Sequence, residues 1–217
     1  MDLTMTRASD EIRQYEIMLS FERRAWLAGY LRVAGVDEAG RGPLAGPVAA
    51  AACLLDPGKP IYGLNDSKKL SPSKREALYQ DILEKALCWQ VAFVDADQID
   101  EQNILQATCQ AMCLAVSGLE LQPDLLLVDA VTPDVAIPVW PIIHGDALSV
   151  SIAAASILAK VSRDRLMEAY DASYPAYGFA QHKGYGTKAH YAALLEYGPC
   201  PIHRLSFLKN LDQHKER

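Results

Sequence analysis

The sequence predicts an α/β domain: a mixed sheet flanked by helices, with additional helices toward the C-terminus. Three observations carry this. Short aliphatic runs alternate with longer segments of helical periodicity. Two such runs near the start follow one another with no helix signal between them, so the order is not a regular βαβ repeat and a purely parallel sheet is disfavoured. With 217 residues, 50% of them hydrophobic, the chain can bury one substantial core.

Taken in order, residues 8–28 read as a helix, with Ile12, Tyr15, Leu19 and Trp26 near one face. Residues 1–30 therefore read as an N-terminal helical appendage to one main domain over residues 31–217. Leu31 to Val36 reads as a strand running into Asp37. Gly40, Gly42, Pro43, Gly46 and Pro47 follow, a turn at which a ligand could come close to the backbone. Val48 to Leu55 is a second strand. Ser71-Pro72 offers an N-cap with proline in the first turn, and Ser73 with Glu76 a capping box, ahead of Leu78, Ile82 and Leu83. Trp89 to Val94 is a third strand. Ile99 to Gly118 reads as one helix, with Ile104, Ala107, Ala111 and Leu114 at helical spacing and glycine at its end. Leu125 to Val128 is a fully apolar strand ending in Asp129. Val139 to Ile143 contains Pro141, which places it at a sheet edge. Ser149 to Tyr170 is a helix whose Ile152–Ser156 stretch is rich in small residues, fit for close approach to the sheet. Thr187 to Tyr197 is the last helix, with Gly198 just beyond.

The charge is uneven. The formal net charge is −6. Residues 86–159 hold nine acids and no Lys or Arg, whereas residues 160–217 hold nine Lys or Arg and six acids. This balance excludes a generic basic nucleic-acid binder. No apolar run reaches the ~18 residues that span a bilayer, and no apolar leader opens the chain. The five cysteines, Cys53, Cys88, Cys109, Cys113 and Cys200, are odd in number and form no Cys-x-x-Cys, so buried reduced thiols are expected. Together these features point to a soluble cytoplasmic protein, expected to act as a monomer and away from membranes.

The acids carry the chemistry. Asp37 and Glu38 close one apolar strand, Asp129 closes another, and Asp146 follows a third. A lone buried carboxylate costs several kcal/mol, so such groups pair, accept hydrogen bonds or hold a metal. No Lys or Arg between 86 and 159 neutralises Asp129 or Asp146 locally. Asp146 could also cap the helix that begins near Ser149. Convergent oxygen ligands suit Mg²⁺ or Mn²⁺, and a pair of such ions about 3.5–4 Å apart can clamp a phosphodiester for in-line displacement.

The stretch Val36-Asp37-Glu38-Ala39-Gly40-Arg41-Gly42-Pro43-Leu44-Ala45-Gly46-Pro47-Val48 resembles the opening motif of ribonuclease HII, the bacterial type 2 ribonuclease H family. The resemblance continues in order through Asn65-Asp66-Ser67-Lys68-Lys69-Leu70-Ser71, Leu127-Val128-Asp129, Gly145-Asp146, Ala153 to Arg165, His182 to Thr187, and Pro201 to Phe207. It spans residues 33–208, nearly the whole chain. It implies a ribonuclease H-like fold and cleavage of RNA in RNA–DNA hybrids and at single ribonucleotides embedded in duplex DNA. The implied cut lies 5′ of the ribonucleotide and leaves 3′-hydroxyl and 5′-phosphate ends, a role in DNA replication and repair. The family's metal-binding and catalytic acids map onto Asp37, Glu38, Asp129 and Asp146, with Mg²⁺ or Mn²⁺ as the two ions. Gly40-Arg41-Gly42 resembles the loop that reads the ribose 2′-hydroxyl through its backbone, and Tyr185 the tyrosine that packs on the sugar at the ribo–deoxy junction. Ser67 and Lys68 resemble phosphate contacts. Lys160, Arg163, Lys183 and Lys188 are candidate backbone contacts by charge. Asp164, between Arg163 and Arg165, is expected to be ion-paired. His144 stands where the family often has Lys, and Ala130 where many members have Gly. Only 30 residues precede the first strand, against the sizeable N-terminal domain of type 3 enzymes. The alternatives are a related nuclease that cuts branched DNA and a catalytically silent hybrid-binding protein.

Overall fold

The computed structural model describes residues 3–209, with side chains from Ser9 onward; residues 1–2 and 210–217 lie outside the described residues. Helices α1 (Leu3–Met18) and α2 (Ser20–Leu27) precede strands β1 (Val33–Ala39) and β2 (Val48–Leu54). Then come α3 (Pro72–Lys85), β3 (Cys88–Val94), α4 (Ala96–Gln102) and α5 (Ile104–Ser117). Strands β4 (Leu125–Asp129) and β5 (Val139–Ile142) follow, then the one-turn α6 (Gly145–Leu148) and the long α7 (Val150–Ser173). The chain closes with α8 (Phe179–His182), α9 (Lys188–Tyr197) and a 3-10 turn at Leu205–Phe207.

The sheet is mixed, in the order β3-β2-β1-β4-β5. β2 runs antiparallel to both β1 and β3, while β1, β4 and β5 are parallel. β5 is an edge strand, which accommodates Pro141 without breaking an inner ladder. On one face, α7 and α3 bury Ala153, Ala154, Ile157, Leu158 and Ile82 against Ala51 and Cys53. On the other, α5 buries Ala107, Ala111, Met112 and Ala115 against Ala50, Ala52, Leu126 and Val128. Each fully buried Ile or Leu stabilises the fold by roughly 1.5–3 kcal/mol. The small residues set the spacing: a methyl group at Gly35 of β1 would lie 2.0 Å from the Ser151 carbonyl carbon of α7. Among the described residues no helix is long and apolar enough to cross a membrane.

Several boundaries differ from the sequence reading, each for a local reason. The helix expected over 8–28 breaks at Leu19, whose ψ is 1°. The bend lets Tyr15 and Met18 enter the core under α3 while Ala25, Phe21 and Trp26 cover β1 and β4; Ile12 stays exposed. The helix expected over 99–118 is two helices. Asn103 sits between them at φ 75° and ψ 161°, a strained conformation outside the left-handed helical region, and its side chain accepts the N–H groups of Leu105 and Gln106 to cap α5. Leu114 is exposed, and Met112 and Ala115 take the buried positions. The Ser73–Glu76 capping box does not form. Ser71 caps α3 by accepting the Lys74 N–H at 3.3 Å, and Glu76 pairs with Arg165. All five cysteines are free thiols, but only Cys53 and Cys88 are buried; Cys109 and Cys113 are half-buried against the Thr132 and Asp134 carbonyls, and Cys200 is half-buried too.

Candidate active site

The site opens where two parallel strands part. The β1–β4 ladder ends at Val36 and Val128. Beyond that point β1 stays paired to β2 as far as Ala39, and β4 stays paired to β5 through Asp129 and Ile142. Asp37 and Asp129 therefore flank a cleft at the carboxyl ends of the central strands, where open α/β sheets place their ligands. The turn after β5 brings in the third acid. His144 adopts φ 59°, and the Gly145 N–H donates to Asp129 Oδ1 at 3.0 Å, which ties α6 to the end of β4. One carboxylate oxygen each from Asp37, Asp129 and Asp146 then lies within 4.8 Å of the others. Asp146 does not cap α7; Ser149 does, by accepting the Ile152 N–H.

Electrostatically the cluster is strained. Burial, then the charge of Glu38, push Asp37 well above the ordinary carboxylate range, and Asp129 adds to this; the Ser156 hydroxyl and the Glu38 N–H pull the other way. Asp146 is raised by burial and by Asp66 and Asp129. Glu38 is not one of the three clustered acids. Burial raises it, while Arg41, whose Nη1 lies 3.3 Å from Glu38 Oε1, lowers it. Glu38 Oε2 is buried and has no hydrogen-bond partner among the described residues. Among the described residues, cations from outside the basic-free stretch act on two of these acids: Arg41 on Glu38, and Lys68 on Glu38 and Asp146.

Beside the triad lies a cleft of about 640 Å³. It gathers Glu38, Gly40, Arg41, Gly42, Ser67, Lys68, Lys160 and Tyr185 from the sequence reading. Gly40 has φ 92°, and a methyl group there would lie 2.0 Å from Arg163 Nε, so the turn requires glycine. A methyl group on Gly42 would stand 3.7 Å from the Tyr185 ring, so turn and ring are neighbours. Ser67 is buried, its hydroxyl 3.0 Å from that of Ser156.

Two basic residues, Arg163 and Lys183, are placed otherwise than expected. Arg163 is 1% exposed and is turned away from the surface; its guanidinium donates to the carbonyls of Pro47, Lys183 and Ala45. It holds loops together and is not available to a phosphate. Lys183 pairs with Glu168 at 2.7 Å and donates to the Ala180 carbonyl. Lys160 lines the cleft, yet its ammonium lies 2.7 Å from Asp164, so Asp164 is ion-paired through Lys160 and not through its arginine neighbours. Lys188 is exposed at the start of α9. Both departures from the family pattern occupy left-handed backbone, Ala130 at φ 56° and His144 at φ 59°. For Ala130 this strain is roughly 1–2 kcal/mol, which glycine would avoid.

The sequence reading gave no role to Asp66, Ser156, Ile104, Phe207, Arg204 or the histidines behind Tyr185. Ile104 and Phe207 complete the cleft wall. Asp100 accepts the Leu205 and Ser206 N–H groups and fixes the turn that carries Phe207. The histidines form a directed chain. The Cys200 N–H donates to His203 Nδ1 at 2.9 Å, so His203 carries its proton on Nε2 and donates it to His190 Nε2 at 3.0 Å. His190 then donates from Nδ1 to the Tyr185 carbonyl at 3.0 Å. Burial pushes both rings down to about 4, which keeps them neutral as the chain requires. The signal was the His182–Thr187 and Pro201–Phe207 motifs, whose partners are visible only once the fold joins them.

A mixed five-stranded sheet, helices on both faces and an acidic cluster at the parting of its central parallel strands define the ribonuclease H-like fold class. The crystal structure of ribonuclease H2 from Pyrococcus horikoshii OT3 superposes with a TM-score of 0.70 at 26% identity, covering 86% of this chain and 100% of that one. The family model described as Ribonuclease HII matches residues 34–210. The chain belongs to the ribonuclease HII family and is an endoribonuclease. It is 59% identical over 201 residues to ribonuclease HII of Ruminiclostridium cellulolyticum, covering 92% of this chain and 79% of that protein. It is 57% identical over 198 residues to ribonuclease HII of Desulfitobacterium hafniense, covering 91% and 76% respectively.

Proposed function

We propose that this chain is a divalent-metal-dependent endonuclease that hydrolyses RNA in RNA–DNA hybrids and cuts 5′ of single ribonucleotides embedded in duplex DNA. The products are 3′-hydroxyl and 5′-phosphate ends. The observation that carries the reading is the Asp37–Asp129–Asp146 cluster next to Glu38, which itself lines a cleft walled by Gly40-Arg41-Gly42 and Tyr185.

The residues fit a metal. The donors are all carboxylate oxygens, the ligand type of Mg²⁺ and Mn²⁺. Burial and mutual repulsion raise Asp37 and Asp146, and the buried Glu38 Oε2 has no partner among the described residues. Asp37, Asp129 and Asp146 would hold the ions, with Glu38 joining them at its free oxygen. When bound, two such ions supply the Lewis acidity and charge neutralisation that phosphodiester hydrolysis requires.

The chain's own groups do the rest. The Gly40-Arg41-Gly42 turn brings backbone within reach of a ribose 2′-hydroxyl, the group that separates RNA from DNA. Tyr185 offers its ring to the adjacent sugar. Lys68 and Ser67 meet phosphate at one wall of the cleft, and Lys160 at another. Lys188 adds charge to the exposed flank. A net charge of −6 leaves little non-specific attraction, so binding depends on these few contacts and on the metal site.

The test is duplex DNA carrying one ribonucleotide, incubated with and without Mg²⁺ and mapped at nucleotide resolution. A metal-dependent cut on the 5′ side of the ribonucleotide is expected. No cut would sink the reading in favour of a silent binder. Cleavage of branched DNA without any ribose would place the chain with the branch-cutting nucleases.

A further inference from the structure

Two arginines lie under the glycine turn. Arg163 and Arg204 are 1% and 0% exposed, and among the described residues neither forms an ion pair. A buried guanidinium without a carboxylate is costly, and Arg204 is pushed down to about 9, first by burial and then by the charge of Arg163. Such an arrangement persists because backbone carbonyls take up all three nitrogens of each guanidinium. Arg163 holds Ala45, Pro47 and Lys183. Arg204 donates to the carbonyls of Gly40 at 2.6 Å, Arg41 at 3.0 Å and Gly46 at 2.9 Å.

The geometry of those carbonyls has a consequence. The described chain contains no cis peptide bond. In a trans peptide the C=O and the following N–H point in opposite directions. The Gly40 carbonyl that faces Arg204 therefore turns the Arg41 N–H away from it, and the Arg41 carbonyl does the same for the Gly42 N–H. Among the described residues neither N–H donates to a protein acceptor, and both residues line the cleft. A cation on each carbonyl also withdraws charge through the peptide and makes the opposite N–H a stronger donor.

We propose that Arg204 is a positioning residue for ribose recognition: from behind, its guanidinium fixes and polarises the Gly40–Arg41 and Arg41–Gly42 peptides so that their N–H groups meet the 2′-hydroxyl oxygen. This rests on the reading above that the turn meets the 2′-hydroxyl. Lysine cannot replace it, because a single ammonium cannot span three carbonyls in a fork.

The test is the affinity of wild type and Arg204→Lys for two duplexes of one sequence, one with a single ribonucleotide and one all DNA, measured by fluorescence anisotropy in EDTA. Wild type should prefer the ribonucleotide duplex. Arg204→Lys should lose about tenfold or more of that preference, with affinity for the all-DNA duplex nearly unchanged. A folded Arg204→Lys with the wild-type preference overturns the inference and leaves the functional reading standing. A wild type with no preference overturns the premise that the glycine turn meets the 2′-hydroxyl, and the inference with it, while the Mg²⁺-dependent cleavage assay decides the functional reading separately. Should Arg204→Lys not fold, NMR on the wild type decides. Slowly exchanging Arg204 guanidinium protons, coupled across hydrogen bonds to the Gly40 and Arg41 carbonyl carbons, are expected. So are Arg41 and Gly42 amide shifts on adding the ribonucleotide duplex and not the all-DNA one. Rapidly exchanging guanidinium protons or unmoved amides overturn the inference.

Discussion

Asp37→Asn is expected to reduce cleavage by roughly 10³-fold or more while making the metal-free protein more stable. Both effects have one source. Asp37 is 5% exposed and is held among Glu38, Asp129 and Asp146. Its carboxyl is raised, so the folded state holds the proton more tightly than the unfolded chain does. Folding is therefore penalised once the unfolded carboxyl ionises, near pH 4, and the penalty grows with pH until the folded group has ionised as well. Asparagine keeps the shape and removes the charge. In EDTA the variant should melt above wild type by roughly 2–6 °C at neutral pH, and the gap should shrink toward pH 4. Mg²⁺ should raise the wild-type Tm and move the variant less, since a ligand stabilises only the state that binds it. Thermal melts with and without EDTA at several pH values, alongside the cleavage assay, check this. A variant that cleaves at the wild-type rate would remove Asp37 from the metal site.

Gly35→Ala is expected to destabilise the fold by roughly 3 kcal/mol or more and to lower the cleavage rate about 10²-fold. The added methyl would lie 2.0 Å from the Ser151 carbonyl carbon, 2.1 Å from its oxygen and 2.4 Å from the Ile152 nitrogen. These are backbone atoms, so no rotamer relieves the clash, and α7 must move off β1 by more than about 1 Å. Helix α7 carries Ser156, which bonds Asp37, and its Ser149 cap adjoins the turn that carries Asp146. Displacement of this kind is felt as catalysis lost through misplacement. Urea unfolding and single-turnover cleavage measure the two effects. Wild-type values for both would show that α7 does not set the geometry of the acids.

How much of this was legible beforehand depends on the range of each interaction. The strands could be read because β1, β2 and β4 are short apolar runs with charged or glycine-rich ends. The three clustered aspartates could be read because each carboxylate breaks an apolar element at a strand end or just after one. The breaks at Leu19 and Asn103 were not read. Each falls inside continuous helical periodicity, and only the packing of Tyr15 and Trp26 into different clusters, or the φ of 75° at Asn103, reveals it. The basic residues were read worst. Charge alone says nothing of direction, so Arg163 passed for a surface contact although it is buried under the turn, and Arg204 went unassigned for the same reason. The histidine chain joins Cys200, His203, His190 and Tyr185 across a loop and a helix, and no periodicity encodes that.

The proposal turns on whether divalent cations occupy the carboxylate cluster. Anomalous diffraction from crystals grown with Mn²⁺ and a non-cleavable ribonucleotide duplex measures this directly. Anomalous density at coordination distance from the carboxylates of Asp37, Asp129 and Asp146, against the phosphate 5′ of the ribonucleotide, is expected. Full occupancy of the duplex with no Mn²⁺ at these three side chains, or with Mn²⁺ only elsewhere, would contradict the metal site and the hydrolysis built on it.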